Sequence, residues 1–508
     1  MTKEEIGRCF GETTPTTVEF ISKQIPEVGE YVCLEYNNMQ ILGMIETSLR
    51  GNVALQNDIY DPKTIERIIK IGDNDFYLRG TIKILGEIEH LKIPKIPAPP
   101  GTPVYKANKE VLEKIFEKEG TIQIGSVLSQ NEVKARININ KMVSRHLAIL
   151  AMTGAGKSNA TSVIIDRLLE VNGSIIIFDM HGEYINTKFN NGSKNEIRPR
   201  INPLYLSVGE FKTLANIPNN AYVQERYFRN AYKKAKERFE ETENTTGDFI
   251  LEIIKEIEIE GDKAQDEEND TVPKRDYEAS IVPVQNKLED MENKYGGLFD
   301  RGDTKDIVNQ IQAGSLNIVD LSSVDEQVSD IVVKHTLSNI LNRRKNSIRN
   351  NIKKETLDFP IFSIIEEAHI LVSEKRDTQS KYIIGKIARE GRKFGVGLCL
   401  VSQSPKALDS DSLSQINNMI VLRLVEQQDQ RHVQSSSESL SEDLVKQLPS
   451  LNTGEAIILG PMTKIPLMVQ IDKFNGITGG SDINIAKQWN NYKIEQEEKI
   501  KEAEEELF

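Results

Sequence analysis

Short runs of apolar residues characterise the first part of the chain. Between residues 27 and 90, β-branched and aromatic residues occur in runs that turn residues interrupt, with Asn37 and Asn38 placed as the two residues of a hairpin turn. This pattern predicts a small β-barrel, which we assign to residues 1–93. The proline-rich segment that follows disfavours helix and predicts an extended strap over residues 94–120.

From about residue 121 the hydrophobic pattern changes to that of alternating strands and helices. The apolar run at 146–150 predicts a strand, "KSNATSVIIDRLLEV" has apolar residues at helical spacing, and "SIIIFD" begins a second strand. The fold class is therefore α/β with a mainly parallel sheet, which the runs "NMIVLRL", "EAIILG" and "IPLMVQI" are candidates to extend. Further parallel strands are predicted at 316–322, 361–369 and 395–403.

Charged segments interrupt and follow this core. Residues 207–310 are helical in pattern and strongly charged, which favours a solvated helical insertion over a dedicated partner surface. The insertion divides the predicted core into residues 121–206 and 311–480. The end of the chain, 481–508, is predicted to be another charged helix or tail.

Composition narrows the class of protein. The chain has 508 residues, of which 38% are hydrophobic and 28% are charged. No apolar run approaches the roughly 18 residues that span a bilayer, and the N-terminus lacks the apolar core of a signal peptide, so we expect a cytoplasmic protein without a membrane partner. Three scattered cysteines support neither a disulfide framework nor a zinc site. The net charge of −13 argues against simple coating of nucleic acid but is compatible with a basic channel inside an acidic particle.

The stretch "AMTGAGKSNA" joins the predicted strand to the helix and has the pattern of a phosphate-binding loop. Gly156, Lys157 and Ser158 match this pattern, whereas Ala151 stands where the first glycine is expected. Glycines let backbone N–H groups surround phosphate oxygens, the lysine brings positive charge to the β- and γ-phosphates, and the serine hydroxyl is a ligand for Mg²⁺. The predicted nucleotide-binding residues of the loop are Thr153, Gly154, Ala155, Gly156, Lys157, Ser158 and Asn159.

Two acids end the strand in "FPIFSIIEEAHIL". An open α/β sheet binds its ligand at the carboxyl ends of the strands, so Glu366 and Glu367 are expected beside the nucleotide. We assign Glu366 to Mg²⁺ through the water shell of the metal, and Glu367 to polarisation of the attacking water. Two exposed acids at a strand end are the ordinary alternative. Glu366 is one methylene longer than the aspartate usual in such motifs, which affects its distance from the metal.

Other polar residues are predicted at the same edge. Asp179, His181 and Glu183 follow the second strand, and they are equally compatible with a role around water or Mg²⁺ and with a polar loop that Gly182 turns. Gln403 ends a later strand, where its amide is placed to sense the γ-phosphate or to hold the water. The alternative is an ordinary strand-terminal amide.

Three arginines are candidates to act on the nucleotide of a neighbouring subunit. Arg389 and Arg392 lie one helical turn apart in "KIAREGRKFG", and Arg145 lies just before the P-loop strand. An oligomeric ATPase needs an arginine that reaches the γ-phosphate of its neighbour, and planar guanidinium groups suit that task. The ordinary alternative is that basic helix ends are solvated or matched to the helix dipole.

Together the motifs "RHLAILAMTGAGKSN", "IIIFDMHGEY", "LNIVDLS", "FSIIEEAHIL" and "REGRKFGVGLCLVSQSP" resemble those of the HerA family of hexameric DNA-translocating ATPases, in the HerA/FtsK group. The resemblance extends over nearly the whole chain, including the barrel and its strap. It implies a RecA-like P-loop core that uses ATP and Mg²⁺, assembled as a homo-hexamer around duplex DNA. It also implies that Lys157 binds phosphate, that Glu367 is the catalytic glutamate, and that Arg392 and Arg145 act in trans.

Members of this family work with a partner nuclease in DNA-end processing, and bacterial relatives occur in antiphage systems beside nuclease or sirtuin-like effectors. The leading hypothesis is therefore a motor that tracks DNA phosphates without reading bases. A second hypothesis, motivated by the acidic composition, is a scaffold that regulates an effector enzyme and uses nucleotide as a structural switch. A membrane-linked coupling motor is disfavoured because the sequence has no transmembrane segment. The basic stretch at 342–354 is compatible with a DNA contact and with a solvated helix face.

Overall fold

An N-terminal β-barrel precedes an α/β core in the computed structural model of the chain. The barrel strands are β1 (Glu5–Cys9), β2 (Thr17–Ser22), β3 (Tyr31–Tyr36), β4 (Met39–Asn52), β5 (Phe76–Glu87) and β6 (Pro103–Lys106). The core strands are β7 (Thr121–Val127), β8 (Gln130–Asn138), β9 (Leu147–Leu150), β10 (Ile175–Asp179), β11 (Ser193–Ile197), β12 (Ser315–Asp320), β13 (Ile361–Ile365), β14 (Val396–Ser402), β15 (Asn418–Leu422), β16 (Glu455–Leu459) and β17 (Leu467–Ile471). The structure describes residues 4–55, 59–71, 76–117, 119–241, 248–265, 273–297, 299, 306–350, 354–437, 439–479 and 485–492.

One helix joins two strands of the barrel, and the others flank the strands of the core or form the insertion. The helices are α1 (Pro62–Ile71), α2 (Lys109–Phe116), α3 (Ile139–Arg145), α4 (Lys157–Glu170), α5 (Val208–Leu214), α6 (Tyr222–Glu241), α7 (Phe249–Gln265), α8 (Lys274–Asp276), α9 (Val282–Tyr295), α10 (Glu326–Ile348), α11 (Ala368–Leu371), α12 (Gln379–Glu390), α13 (Ser410–Ser414), α14 (Gln427–Ser435) and α15 (Glu442–Gln447). In the described ranges, no helix is both long and apolar enough to cross a membrane.

The barrel strands close in the order β1-β2-β5-β4-β3-β6, and every neighbouring pair is antiparallel. Asn37 and Asn38 join β3 to β4 with φ angles of 49° and 60°, as the hairpin pattern predicts, because asparagine tolerates the left-handed region. The segment 94–120 differs from the predicted strap. It contains α2 and the closing strand β6, which pairs with both β1 and β3, so it completes the barrel as well as linking it to the core.

The core is built on an eleven-stranded sheet in the order β11-β12-β10-β13-β14-β9-β15-β16-β17-β7-β8. Neighbouring strands are parallel from β11 to β15 and antiparallel from β15 to β8. The predicted α/β class with a mainly parallel nucleotide-binding half is thus confirmed. The hydrophobic pattern did not predict β11, whose sequence "SKNEI" is mostly polar and exposed, because pairing with β12 forms this strand.

The insertion contains an aromatic cluster that is part of the same hydrophobic core as the sheet. The ring of Phe211 on α5 contacts the rings of Phe228, Tyr232, Phe249 and Phe299 at centroid distances of 5.8 to 6.4 Å. Aromatic rings at these separations stabilise a packed cluster. The charged segment is therefore a folded helical unit with a polar outer face. Residues 242–247, 266–272, 298 and 300–305 of the predicted insertion lie outside the described residues.

The basic stretch at 342–354 is used partly inside the fold. The guanidinium of Arg343 is buried and lies 2.8 Å from Asp306, and buried Arg344 donates a hydrogen bond to the Phe394 carbonyl at 2.8 Å. These two arginines therefore hold α10 against neighbouring loops. Residues 351–353 of this stretch lie outside the described residues. Near the end of the chain, residues 485–492 are helical and exposed, and residues 480–484 and 493–508 lie outside the described residues.

Candidate active site

The loop between β9 and α4 is built around two glycines with positive φ. Gly154 and Gly156 have φ angles of 79° and 103°, which residues with a Cβ rarely adopt. A Cβ on Gly156 would lie 3.2 Å from the backbone nitrogen of Gly454, whose N–H donates to the Ala155 carbonyl at 3.0 Å. Ala151 does not have a positive φ, so this position accommodates alanine where the pattern has glycine. The loop thus has the backbone shape of a phosphate cradle.

Side chains from three adjacent strand ends converge on one carboxylate oxygen. The Nζ atom of Lys157, the first residue of α4, lies 2.7 Å from Oε1 of Glu367. The same oxygen accepts a hydrogen bond from Nε2 of Gln403 at 2.7 Å. Oε1 of Gln403 in turn accepts one from the hydroxyl of Thr153 in the loop, also at 2.7 Å. The P-loop, the acid after β13 and the amide after β14 therefore form one hydrogen-bonded network.

Glu367 has a strained backbone and an ionised side chain. Its φ and ψ are 43° and 45°, a left-handed conformation that is uncommon for a residue with a side chain and that clusters at functional sites. Burial raises the pKa of Glu367, but the hydrogen bond and positive charge of Lys157, together with Gln403 and His369, outweigh burial and bring the pKa below its usual value. The carboxylate is therefore ionised at neutral pH, as polarisation of a water requires.

Glu366 is fully buried and half satisfied. Its Oε1 accepts a hydrogen bond from the Tyr184 hydroxyl at 2.8 Å and lies 3.9 Å from Nζ of Lys157. Its Oε2 is buried and has no hydrogen-bond partner in the protein. Burial raises the pKa of Glu366 to about 7. A buried carboxylate oxygen without a donor is a position that a cation or its bound water fits.

The residues at this edge fit Mg²⁺ bound together with phosphate. Across the parts of the chain that the structure describes, no group of three or more His, Cys, Asp or Glu side chains is arranged to hold a metal ion by itself. Mg²⁺ in nucleotide sites keeps several waters and takes one or two protein ligands besides the phosphates. The hydroxyl of Ser158 in the first turn of α4 and the unpartnered oxygen of Glu366 meet that requirement.

Asp179 lies at the predicted edge, but its carboxylate binds the main chain. Oδ1 accepts hydrogen bonds from the N–H groups of residues 181–183 at 2.9 to 3.3 Å, and Oδ2 accepts one from the N–H of Tyr184 at 2.8 Å. Asp179 therefore shapes the loop after β10. His181 in this loop is exposed, and its Nε2 lies 3.9 Å from Oε1 of Glu367. A direct role around water or Mg²⁺ stays a prediction.

Asn159 and Glu183, two further predicted site residues, interact with other groups of the protein. The side-chain amide of Asn159 donates to the Asp472 carbonyl at 3.0 Å and accepts from the N–H of Phe474 at 2.9 Å. Both polar groups of its side chain thus tie α4 to the segment after β17, and a nucleotide contact by Asn159 stays a prediction. The negative charge of Glu183 adds to burial in raising the pKa of Glu366.

Comparison with known proteins agrees with this geometry. A family profile described as "Helicase HerA, central domain" matches residues 122–340, and one described as "HAS barrel domain" matches residues 6–90. A DNA double-strand break repair helicase HerA of Sulfolobus acidocaldarius is 42% identical over 496 residues, which cover 97% of this chain and 98% of that protein. A probable helicase of Methanocaldococcus jannaschii is 41% identical over 496 residues, with 96% and 94% covered. The chain belongs to the HerA family.

This HerA-family chain is a P-loop ATPase of the helicase type. Among solved structures, VirB4 of Thermoanaerobacter pseudethanolicus aligns with a TM-score of 0.48 at 14% identity, over 70% of this chain and 97% of that chain.

The three predicted trans-acting arginines lie at the other end of the parallel strands. Arg145 ends α3 just before β9, Arg392 lies in the turn just before β14, and Arg389 is in the last turn of α12. β14 has seven residues, which at about 3.3 Å per residue span about 23 Å. Arg392 is therefore too far from the P-loop of its own chain to contact it. Arg389 and Arg392 are exposed.

His146 joins the segments that carry these arginines. Its Nδ1 accepts a hydrogen bond from the N–H of Leu398 at 3.1 Å, and its Nε2 lies 3.1 Å from the Ala388 carbonyl. These partners require the neutral ring with its proton on Nε2. Burial lowers the pKa of His146 to about 4. Because Arg145 precedes His146 and Arg389 follows Ala388, the ring fixes the two arginine segments relative to each other.

Two residues at the site had no role predicted from sequence. Tyr184 contacts Glu366, as described above, and Nδ1 of His369 lies 3.3 Å from Oε2 of Glu367. Burial lowers the pKa of His369. Both residues lie in the motifs "IIIFDMHGEY" and "FSIIEEAHIL", but sequence spacing carries no signal for which carboxylate each one contacts.

Proposed function

We propose that this chain is an ATP-dependent, hexameric DNA translocase or helicase that uses Mg²⁺ and couples ATP hydrolysis to movement on duplex DNA. The observation that carries the proposal is the convergence of Lys157 and Gln403 on the same oxygen of Glu367, at 2.7 Å each. A phosphate-binding lysine, an ionised glutamate and an amide at adjacent strand ends are the groups that NTP hydrolysis needs for positioning phosphate and water.

These contacts support the following proposed role for each residue when ATP binds. The γ-phosphate attracts Lys157, which then leaves Glu367, and the freed carboxylate polarises the attacking water. The Gln403 amide hydrogen-bonds to both Glu367 and Thr153. Nucleotide bound in the loop would therefore change the hydrogen bonding of the acid through this amide. Ser158 and Glu366 would hold Mg²⁺, which supplies charge neutralisation at the phosphates when bound.

A homo-hexamer is proposed because the candidate trans-acting arginines lie at the opposite end of the parallel strands from the P-loop of the same chain. The amino ends of β9 and β14 carry Arg145, Arg389 and Arg392, and the carboxyl ends carry the P-loop and Gln403. Head-to-tail packing of copies in a closed ring would bring the arginines of one copy to the nucleotide of the next. An arginine supplied in trans stabilises the charge of the transition state.

DNA is the proposed track, and the similarity to the DNA double-strand break repair helicase HerA of Sulfolobus acidocaldarius supports this choice. Contacts are expected with phosphates, so binding would depend strongly on salt. Within the basic stretch, Arg349 and Lys354 are exposed and available for such a role. A nuclease or another effector enzyme is the proposed protein partner, in DNA-end processing or antiphage defence.

Steady-state ATP hydrolysis by the purified oligomer tests this proposal, with and without long duplex DNA at low and moderate salt. Glu367→Gln and Lys157→Ala are the inactive references. Stimulation by DNA that declines with salt is the expected result. Hydrolysis that is indifferent to DNA would instead favour a nucleotide-switched scaffold that regulates an effector. Full activity in either variant would contradict the assigned site.

A further inference from the structure

Tyr184 is the side chain that contacts the buried acid on the proposed metal side of the site. Its ring is 1% exposed, and its hydroxyl donates to Oε1 of Glu366 at 2.8 Å. Its N–H donates to Oδ2 of Asp179 at 2.8 Å. The tyrosine is therefore fixed at its backbone and at its hydroxyl.

The loop that carries Tyr184 is held at both of its ends. At the first end, Asp179 accepts four main-chain hydrogen bonds, from residues 181–184. At the other end, the hydroxyl of Thr187 donates to the Glu183 carbonyl at 2.8 Å and accepts the N–H of Gly479 at 3.0 Å. A loop with this many internal anchors presents its side chain in one position.

Strand order places this loop beside the acid. β10 and β13 are neighbours in the sheet, with Phe178 opposite Ile365, and the N–H of Glu366 donates to the Phe178 carbonyl at 3.3 Å. The residue after β13 and the loop after β10 therefore leave the sheet side by side, which brings Tyr184 to Glu366 although 182 positions separate them in the sequence.

Glu366 has a specific need for such a contact. A glutamate has one more rotatable bond than the aspartate usual at this position, and the torsion at its carboxylate is broad. The tyrosine hydroxyl engages one oxygen and leaves the other, Oε2, buried and without a partner. The hydrogen bond thus fixes the orientation of the carboxylate, with Oε1 3.9 Å from Nζ of Lys157 and Oε2 left without a protein donor.

We propose that Tyr184 is a positioning residue for Mg²⁺ binding: its hydroxyl engages Oε1 and fixes the carboxylate of Glu366 in one orientation, and Oε2, which has no protein donor, is the oxygen that would bind the water shell of the metal. The tyrosine compensates for the extra methylene of the glutamate. This inference rests on the proposed function as a Mg²⁺-dependent ATPase, and it assigns to Tyr184 no contact with ATP itself.

The test measures binding of a non-hydrolysable ATP analogue to the full-length oligomer, by calorimetry across a series of Mg²⁺ concentrations and in EDTA. Groups that orient metal ligands contribute about 10–100-fold to metal affinity, so Tyr184→Phe is expected to require about 10-fold more Mg²⁺ for half-maximal binding. Binding in EDTA should equal that of the wild type. The matched control is Tyr232→Phe, because the buried hydroxyl of Tyr232 donates at 2.8 Å to the Leu206 carbonyl in the insertion; this variant should keep the wild-type requirement.

Glu366→Asp provides the second arm. The shorter acid does not extend to the tyrosine hydroxyl, so this variant alone should also raise the Mg²⁺ requirement, and adding Tyr184→Phe to it should change the requirement by less than about 2-fold. This arm also carries the test if Tyr184→Phe fails to fold.

Two results would overturn the inference. The first is an unchanged Mg²⁺ requirement in Tyr184→Phe with a lower melting temperature in EDTA and in Mg²⁺ alike, which is the signature of a purely structural hydroxyl. The second is an equal effect of Tyr184→Phe beside Glu366 and beside the aspartate. Absence of Mg²⁺-dependent binding in the wild type would instead refute the proposed function.

Discussion

The two ends of the parallel strands in the core differ in burial and in the partners of their charged groups. At the carboxyl ends, Lys157, Glu366 and Glu367 are 7%, 0% and 3% exposed. The Nζ atom of Lys157 lies 3.9 Å from Oε1 of Glu366 and 2.7 Å from Oε1 of Glu367. At the amino ends, Arg389 and Arg392 are exposed. At one end, Lys157 is paired with a buried carboxylate that ATP must displace, and at the other end the arginines are exposed to solvent. This difference is the one expected if each copy binds nucleotide at one edge and completes its neighbour's site with the other.

Removing an outward-facing arginine should have the largest effect. Arg392→Ala is expected to lower kcat for ATP by about 10³-fold, because an arginine supplied in trans typically contributes 10³–10⁵-fold. Nucleotide binding should be nearly unchanged, since Arg392 is remote from its own P-loop. Lys393→Ala, a change to the adjacent exposed cation, is the control and should retain activity. Equal losses in both variants would remove the distinction between a specific arginine and a basic surface.

At the carboxyl ends of the strands, replacing Glu367 by the similarly shaped glutamine should impair hydrolysis but not nucleotide binding. Glu367→Gln is expected to lower kcat by about 10²-fold or more, because it removes the group that polarises water. It should keep or strengthen ATP binding, because Lys157 no longer has an ionised partner in the empty site. Filter binding of ATP beside a single-turnover assay distinguishes the two effects. Loss of binding together with hydrolysis would show that Glu367 holds the loop rather than the water.

Acidification should lower the free energy of unfolding, because His146 at the amino ends of the strands is buried as a neutral ring. In the folded chain the pKa of His146 is about 4, below its usual value of 6.5, so the unfolded state takes up the proton first as pH falls. Stability conferred by the neutral ring is present above pH 6.5 and is lost as pH falls toward 4, by about 2 kcal/mol between pH 7.5 and pH 5.

Urea unfolding at the two pH values measures this loss. His146→Asn removes the titrating ring, so that variant should show about 2 kcal/mol less pH dependence. His90→Asn, at an exposed histidine, should leave the pH dependence as it is. An identical pH dependence in all three proteins would contradict the account of His146.

The amide network at the carboxyl end should give the smallest effect. Gln403→Ala is expected to lower kcat by about 10-fold, the cost of one hydrogen bond to a charged group. Thr153→Val should act through the same contact, so the double variant should be no worse than Gln403→Ala alone. Additive losses would show that the two side chains act separately.

Much of this site follows from the order of apolar segments. Because the carboxyl ends of parallel strands share one edge, the sequence predicts that Lys157, Glu367 and Gln403 meet, and the structure brings them together. Their catalytic roles remain predictions. The arginines before β9 and β14 follow from the same rule applied to the opposite edge.

Side-chain partners were not predictable in the same way. The contact between Tyr184 and Glu366 depends on which strands are neighbours and on the conformation of a whole loop, and neither is encoded in local periodicity. Asn159 directly follows the P-loop pattern, yet its side-chain amide binds the backbone after β17, because that segment crosses α4. β11 could not be predicted because its sequence is mostly polar and lacks the apolar pattern of a buried strand.

The central claim is that two copies build each active site, and a mixed oligomer tests it most directly. Lys157→Ala and Arg392→Ala chains, each inactive alone, are co-expressed with different tags and purified through both. If the arginine acts in trans, about a quarter of the interfaces in a random mixture join an intact P-loop to an intact arginine, and ATP hydrolysis reappears. Mixed oligomers that stay as inactive as either parent would contradict the claim.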